Sequence, residues 1–114
     1  MVIPMLSEAE YRQLIQKAFA RVEAAFENVD PDAAECEPGL GTLAIVFGGK
    51  SKLILSTQPS LRQLWVAFAA KGIAHHFNHD IVTGQWIDDK GKGIELYAFL
   101  RETVREMARL EISF

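Results

Sequence analysis

Five carboxylates fall within residues 27–39, ENVDPDAAECEPG, and the chain's single cysteine, Cys36, stands among them. Just upstream, Glu23, Glu27 and Asp30 are spaced four and three apart. On a helix they lie within about 60° of one another, away from the apolar stripe. Asp32, Glu35 and Glu37 carry the acidic line into the next segment. Like charges four residues apart weaken a helix by a few tenths of a kcal/mol, and acids near its C-terminus meet the unfavourable end of the dipole. The cluster therefore costs stability. It is either a solvated face or a surface that meets positive charge from outside. Carboxylate oxygens select hard cations such as Ca²⁺, Mg²⁺, Mn²⁺ or iron. Residues 30–35 do not form an EF-hand, because Ala34 stands where a ligand should be and Glu35 where the glycine should be. A metal held here is held weakly, in an open site. Cys36 is a poor nucleophile, since the flanking acids disfavour its thiolate.

A second candidate is LRQLWVAFA. In a strand, Leu64, Val66 and Phe68 share one face and Gln63, Trp65 and Ala67 the other. The first set makes the better core, so Trp65 points outward beside Gln63, as a binding hot spot does. His75, His76 and His79 with Asp80 invite a metal reading. Adjacent strand residues face opposite ways, however, and no HxxxH helix or cysteine partner accompanies them, so they read as surface histidines, His79 in a loop. GGKS at 48–51 lacks the phosphate-loop spacing and reads as a hairpin turn. Alternation leaves Trp86 undecided between core and surface. No nucleophile–base spacing or acid/base pair marks an enzyme.

The elements that must position these residues are legible from period and punctuation. Ser7 and Glu10 match a capping box, and Leu6 and Tyr11 a hydrophobic staple. Apolar residues recur at helical spacing through Tyr11, Leu14, Ile15, Ala18, Phe19, Val22, Phe26 and Val29, and Pro31 ends the helix no later than Asp30. After Gly39 the period becomes two. The pattern predicts strands over 42–47, 52–57, 61–69, 73–77 and 85–89, with loops at 78–84 and 90–93, then a helix over about 94–109 and a short tail. Helix, antiparallel strands, helix is an α+β order, with both helices on one face of the sheet.

The length of 114 residues fits one domain, 1–114. No apolar run reaches the roughly 20 residues of a membrane helix, and the first residues lack the features of a signal or transit peptide. A lone cysteine fits a reducing compartment, so a cytoplasmic protein is expected. The net charge of −3 is uneven: residues 1–40 carry eight acids and three bases, the remainder seven acids and nine bases. An acidic end without a basic stripe argues against nucleic acid and for a cation or a basic protein surface.

Taken together, the element order, the ridge ending in ECE, QPSLRQLWVA, HHF, GQWID and the closing ISF resemble the frataxin family in its bacterial, CyaY form. The resemblance runs from about Leu6 to Phe114 and is most specific in residues 59–67, where Gln63, Trp65 and Ala67 fill the family's Q-x-W-x-[AS]. It implies a two-layer α/β sandwich with five to six strands and a tail packed on the helices. It implies weak binding of Fe²⁺ and Fe³⁺ by Glu23, Glu27, Asp30, Asp32, Glu35 and Glu37, with Glu8 a lesser candidate. Glu23, Glu27, Asp30, Gln63 and Trp65 are implied to contact a cysteine desulfurase and an iron–sulfur scaffold protein. It further implies a regulatory adaptor rather than an enzyme, monomeric unless iron drives oligomers. Ala24 and Asn28 replace second acids common in relatives, so the ridge is thinner. The alternative reading is an acidic interaction module with no physiological metal.

Overall fold

The computed structural model describes residues 6–114; the expectation about signal and transit peptides rests in part on residues 1–5, which lie outside the described residues. Helix α1 spans Glu8–Ala25. The capping box is formed: Ser7 Oγ accepts from the Glu10 amide at 3.1 Å, and Glu10 Oε1 accepts from the Ser7 amide at 3.0 Å. Tyr11, Ile15, Ala18 and Val22 make its buried face, continued by Phe26 beyond the end. The acids therefore leave on the opposite, wet side.

Six strands follow: β1 (Ala34–Gly39), β2 (Thr42–Phe47), β3 (Ser51–Gln58), β4 (Gln63–Phe68), β5 (Ile73–His79) and β6 (Trp86–Asp88). They pair in chain order, each antiparallel to the next. The β2–β3 turn uses Gly48 and Gly49, both at positive φ, where a side chain would be strained. Helix α2 (Leu96–Ala108) closes the fold. Its N-cap is Glu95, whose carboxylate accepts from the Tyr97 and Ala98 amides. The preceding loop is organised by Asp88, which accepts from the amides of Lys90, Lys92 and Ile94. Burial pulls against ionisation of this carboxyl, but the three donors outweigh it and the net pKa is lowered.

One face of the sheet is dry. Leu43, Ile45, Leu53, Leu55, Leu64, Val66, Phe68 and Phe77 are buried against α1 and α2. The tail packs on the helices, with Ile112 buried and the Phe114 ring against Phe26 and Tyr97. The architecture is the expected two-layer sandwich, with six strands.

Several boundaries differ from the sequence reading, and α1 stops at Ala25 although the apolar spacing runs on to Val29. Residues 34–39 form a strand where none was assigned, because an edge position tolerates Pro38 and exposed acids. Residues 59–61 make a single 3₁₀ turn, so β4 begins at Gln63, after Arg62 in the left-handed region. Strand β5 continues to His79, which therefore lies in the sheet and not in a loop.

The Tyr11 hydroxyl ties the layers together, donating to the Gln63 carbonyl at 2.5 Å and accepting from the Gln58 amide at 3.0 Å. Tyr11→Phe leaves both backbone groups without that partner. It should lower unfolding free energy by about 1–3 kcal/mol, read from the urea midpoint. An unchanged midpoint would show that the hydroxyl bridge contributes nothing net.

Candidate functional site

The acidic segment begins where α1 stops. Phe26 caps the helix, its amide donating to the Glu23 and Ala24 carbonyls, and residues 26–33 turn toward the edge strand. Asp30 organises the turn: its carbonyl accepts from the Ala33 and Ala34 amides, and its Oδ1 accepts from the Asp32 amide at 2.9 Å. Helix α1 thus ends before Glu27 and Asp30, which extend the ridge from the turn and not from a helical face. No basic residue occupies the last turn of α1 to offset the dipole, and Pro31 restricts the residue before it.

Glu23, Glu27, Asp30, Asp32, Glu35 and Glu37 are all exposed. Glu37 pairs with Lys52 at 3.3 Å, and the other five have no ion-pair partner among the described residues. An open cleft of about 320 Å³ lies between the helix exit and β1, lined by Glu23, Glu27 and Glu35 with Phe26, Val29 and Cys36. Cys36 faces inward from β1. Burial and the nearby Glu23 carboxylate push its thiol up to about 12, so it stays protonated and inert at neutral pH. Among the described residues, no three acid, histidine or cysteine side chains are grouped closely enough to hold a metal ion. The ridge is a line of separate carboxylates, suited to one or two protein oxygens per cation with water completing the shell. Glu8 is not part of it. It pairs with Arg12 at the start of α1, roughly 22 Å of helix rise from Glu23.

The second site is on the helix-free face of the sheet. Leu64, Val66 and Phe68 point into the core, as the alternation predicts, and Gln63, Trp65 and Ala67 point the other way. Trp65 does not stand upright. Its ring lies on the imidazole of His76, directly opposite on β5, with centroids 4.1 Å apart and planes 13° from parallel. Trp65 Nε1 donates to Gln63 Oε1 at 2.8 Å. Gln63 Nε2 in turn donates to Asn78 Oδ1 and to Asp89 Oδ2, both at 3.1 Å. His76 Nδ1 lies 3.6 Å from the same Asp89 oxygen. Four side chains from three segments thus hold a half-buried indole flat against the sheet. His76, Asn78 and Asp89 were not singled out from sequence as members of this group. The β4–β5 register that brings them together cannot be read from residue spacing.

His75 and His76 do face opposite ways. The expectation of three surface histidines needs correction, since strand β5 runs two residues further and turns His75 and His79 toward the helices. The His75 ring packs edge-on to Phe99 of α2 at 4.8 Å, and that of His79 on Trp86 at 5.1 Å. Burial lowers the pKa of His79, against the opposing pull of Asp80 and the Gly84 backbone. Trp86 itself is core.

A family model described as a frataxin-like domain matches residues 4–110. The iron-sulfur cluster assembly protein CyaY of Azotobacter vinelandii is 38% identical over 109 residues, covering 96% of this chain and 96% of its own. The protein of the same name from Pseudoalteromonas atlantica is 33% identical, covering 96% and 95%. Among solved structures, frataxin from Psychromonas ingrahamii superposes with a TM-score of 0.83 at 24% identity, covering 95% of this chain and 97% of that one. A trimeric yeast frataxin superposes with a TM-score of 0.60 at 21% identity, covering 96% and 92%. The family model spans nearly the whole chain, the CyaY relatives exceed 30% identity over almost their full length, and the two-layer fold superposes on solved frataxins: the chain belongs to the frataxin family.

Proposed function

We propose that this protein is an iron-binding regulatory adaptor of iron–sulfur cluster assembly. It holds iron weakly on the carboxylates of Glu23, Glu27, Asp30, Asp32, Glu35 and Glu37 and modulates a cysteine desulfurase through contacts that include Glu23, Glu27, Asp30, Gln63 and Trp65. The observation that carries this reading is the row of exposed carboxylates, five of them unpaired among the described residues, at the exit of α1 and along the free edge of the sheet. Its relatives are named for iron–sulfur cluster assembly, and the yeast structure of the same fold is a ferrous complex. The proposal places this work in the cytoplasm and assigns the chain no catalytic step of its own.

The strand part of the ridge shares a face with the indole. Glu35 and Glu37 alternate outward from β1, on the helix-free face that also carries Gln63 and Trp65 on β4. Three strand spacings, roughly 14 Å, separate β1 from β4, and the register sets Glu37 level with Ala67, two residues along from Trp65. A basic partner seated on the acidic edge would therefore lie within reach of the indole, and a scaffold protein on the indole would lie beside the desulfurase. The indole is pre-organised by Gln63 and His76, so little side-chain freedom is lost when it is covered. A module without a physiological metal is the competing reading, favoured by the lack of any preformed group of three ligands among the described residues.

Exchanging Glu23, Glu27 and Asp30 together for Lys should abolish binding to the desulfurase at low salt. Stability should stay within about 1 kcal/mol of the parent, the lost Asp30–Asp32 turn contact set against relieved repulsion. Tight binding by the triple variant would remove the ridge from the interface. Trp65→Arg should weaken partner binding by at least about 2 kcal/mol, near thirtyfold, while the cooperative unfolding transition persists; a variant that no longer folds would make Trp65 a structural residue. In an anaerobic Fe²⁺ titration of ¹⁵N-labelled protein, broadening should centre on residues 23–37. No response there would favour the metal-free module, and a response centred on residues 75–80 would move the iron site to the histidines.

A further inference from the structure

We propose that Asp89, at the start of the β6–α2 loop, is the positioning residue of the indole face: it fixes the direction of the Gln63 amide and, through it, the pose in which Trp65 meets a partner. The inference rests on the reading of Trp65 as a partner contact and adds the residue that sets its geometry.

The hydrogen bonds of this group run in one direction. Trp65 Nε1 can only donate, and it donates to Gln63 Oε1 at 2.8 Å. Gln63 must therefore turn its oxygen to the indole and its Nε2 to the other side, where Asn78 Oδ1 and Asp89 Oδ2 each lie 3.1 Å away. Asn78 cannot enforce that direction, because its own amide offers a donor as readily as an acceptor. An ionised aspartate only accepts. Asp89 is thus the member of the group that forbids the reversed Gln63 amide, in which the indole N–H would face an NH₂ group. Gln63 is only 8% exposed, so water does little to relieve a wrong orientation.

The carboxylate is itself held in place. The Asp89 amide donates to the His76 carbonyl at 2.8 Å, which ties its backbone to the strand that carries the stacked imidazole. The preceding Asp88 is buried and accepts from the Lys90, Lys92 and Ile94 amides, so the loop beyond is fixed as well. Asp89 has no Lys or Arg partner among the described residues. Its Oδ2 lies 3.6 Å from His76 Nδ1. One carboxylate oxygen thus stands between the amide that holds the indole N–H and the ring on which the indole lies. With that N–H consumed, Trp65 offers a partner a ring face and no donor.

The test compares Asp89→Ala, Asp89→Asn and, as a control in the same loop, Lys90→Gln, each in the full chain. The readouts are the Trp65 indole N–H signal in ¹⁵N NMR, its hydrogen-exchange rate, and the affinity for the desulfurase. Asp89→Ala should move the signal, speed its exchange at least about threefold and weaken binding at least about threefold. Asp89→Asn supplies an acceptor without forbidding the reversed amide, so it should fall between Asp89→Ala and the parent. Lys90→Gln should match the parent. A role confined to stability would lower the urea midpoint without moving the indole signal, and that result overturns the proposal. So does an indole that moves in Asp89→Ala with affinity unchanged while Trp65→Arg still weakens binding. If Trp65→Arg also leaves affinity unchanged, the partner reading fails instead, and the indole signal alone decides the role of Asp89.

Discussion

One-sided burial of the sheet is the constraint on which the rest of the molecule depends. Both helices pack on the same face, so every strand must send alternate side chains into one dry layer and the others into water. A slip of one residue in β4 would exchange Leu64, Val66 and Phe68 for Gln63, Trp65 and Ala67 and place an amide and an indole N–H in the core. The penalty fixes the register, and the register in turn places Trp65 over His76 and Gln63 opposite Asn78. The Tyr11 hydroxyl reinforces the same alignment from the helix side by holding the Gln63 carbonyl and the Gln58 amide.

The two helices treat charge differently at their C-terminal ends. In α2 the last turn carries Arg105, bonded in turn to Glu111, and the cap is Arg109, so positive charge meets the negative end of the dipole. In α1 the last turn has no base, and Glu23, Glu27 and Asp30 crowd the exit. The fold accepts the unfavourable arrangement because Phe26, the tail residue Phe114 and the Asp30-centred turn fix the exit by packing and backbone bonds instead. Each ridge carboxylate is left exposed, and all but Glu37 are without a cation in the described residues.

Much of this was legible in the sequence, and the reasons are particular. The capping box, the apolar stripe from Tyr11 to Phe26 and the hairpin at Gly48-Gly49 are local patterns, and local physics decides them. Trp65 was placed on the outer face because Leu64, Val66 and Phe68 outweigh its own face in apolar area. Strand β1 was not legible, because Pro38, Gly39 and two glutamates are poor strand formers that only pairing with β2 holds extended. The positions of His79 and Trp86 were equally hidden. They depend on where β5 ends and on which face β6 presents, and no periodicity of a three-residue strand reveals that. The Gln63–Asn78–Asp89 bonds join residues up to 26 positions apart and exist only once the meander is assembled.

Strand β1 closes one end of the sheet, and among the described residues no further strand pairs beyond it. Such an edge offers unpaired amides and carbonyls to any extended chain that approaches. Here Pro38 removes one donor from the row, and Glu35 and Glu37 give it negative charge, so a second copy of the same edge is repelled. The carboxylates are thus also a guard against strand-by-strand self-assembly. Neutralising them would remove the charge that keeps a second copy of this edge away.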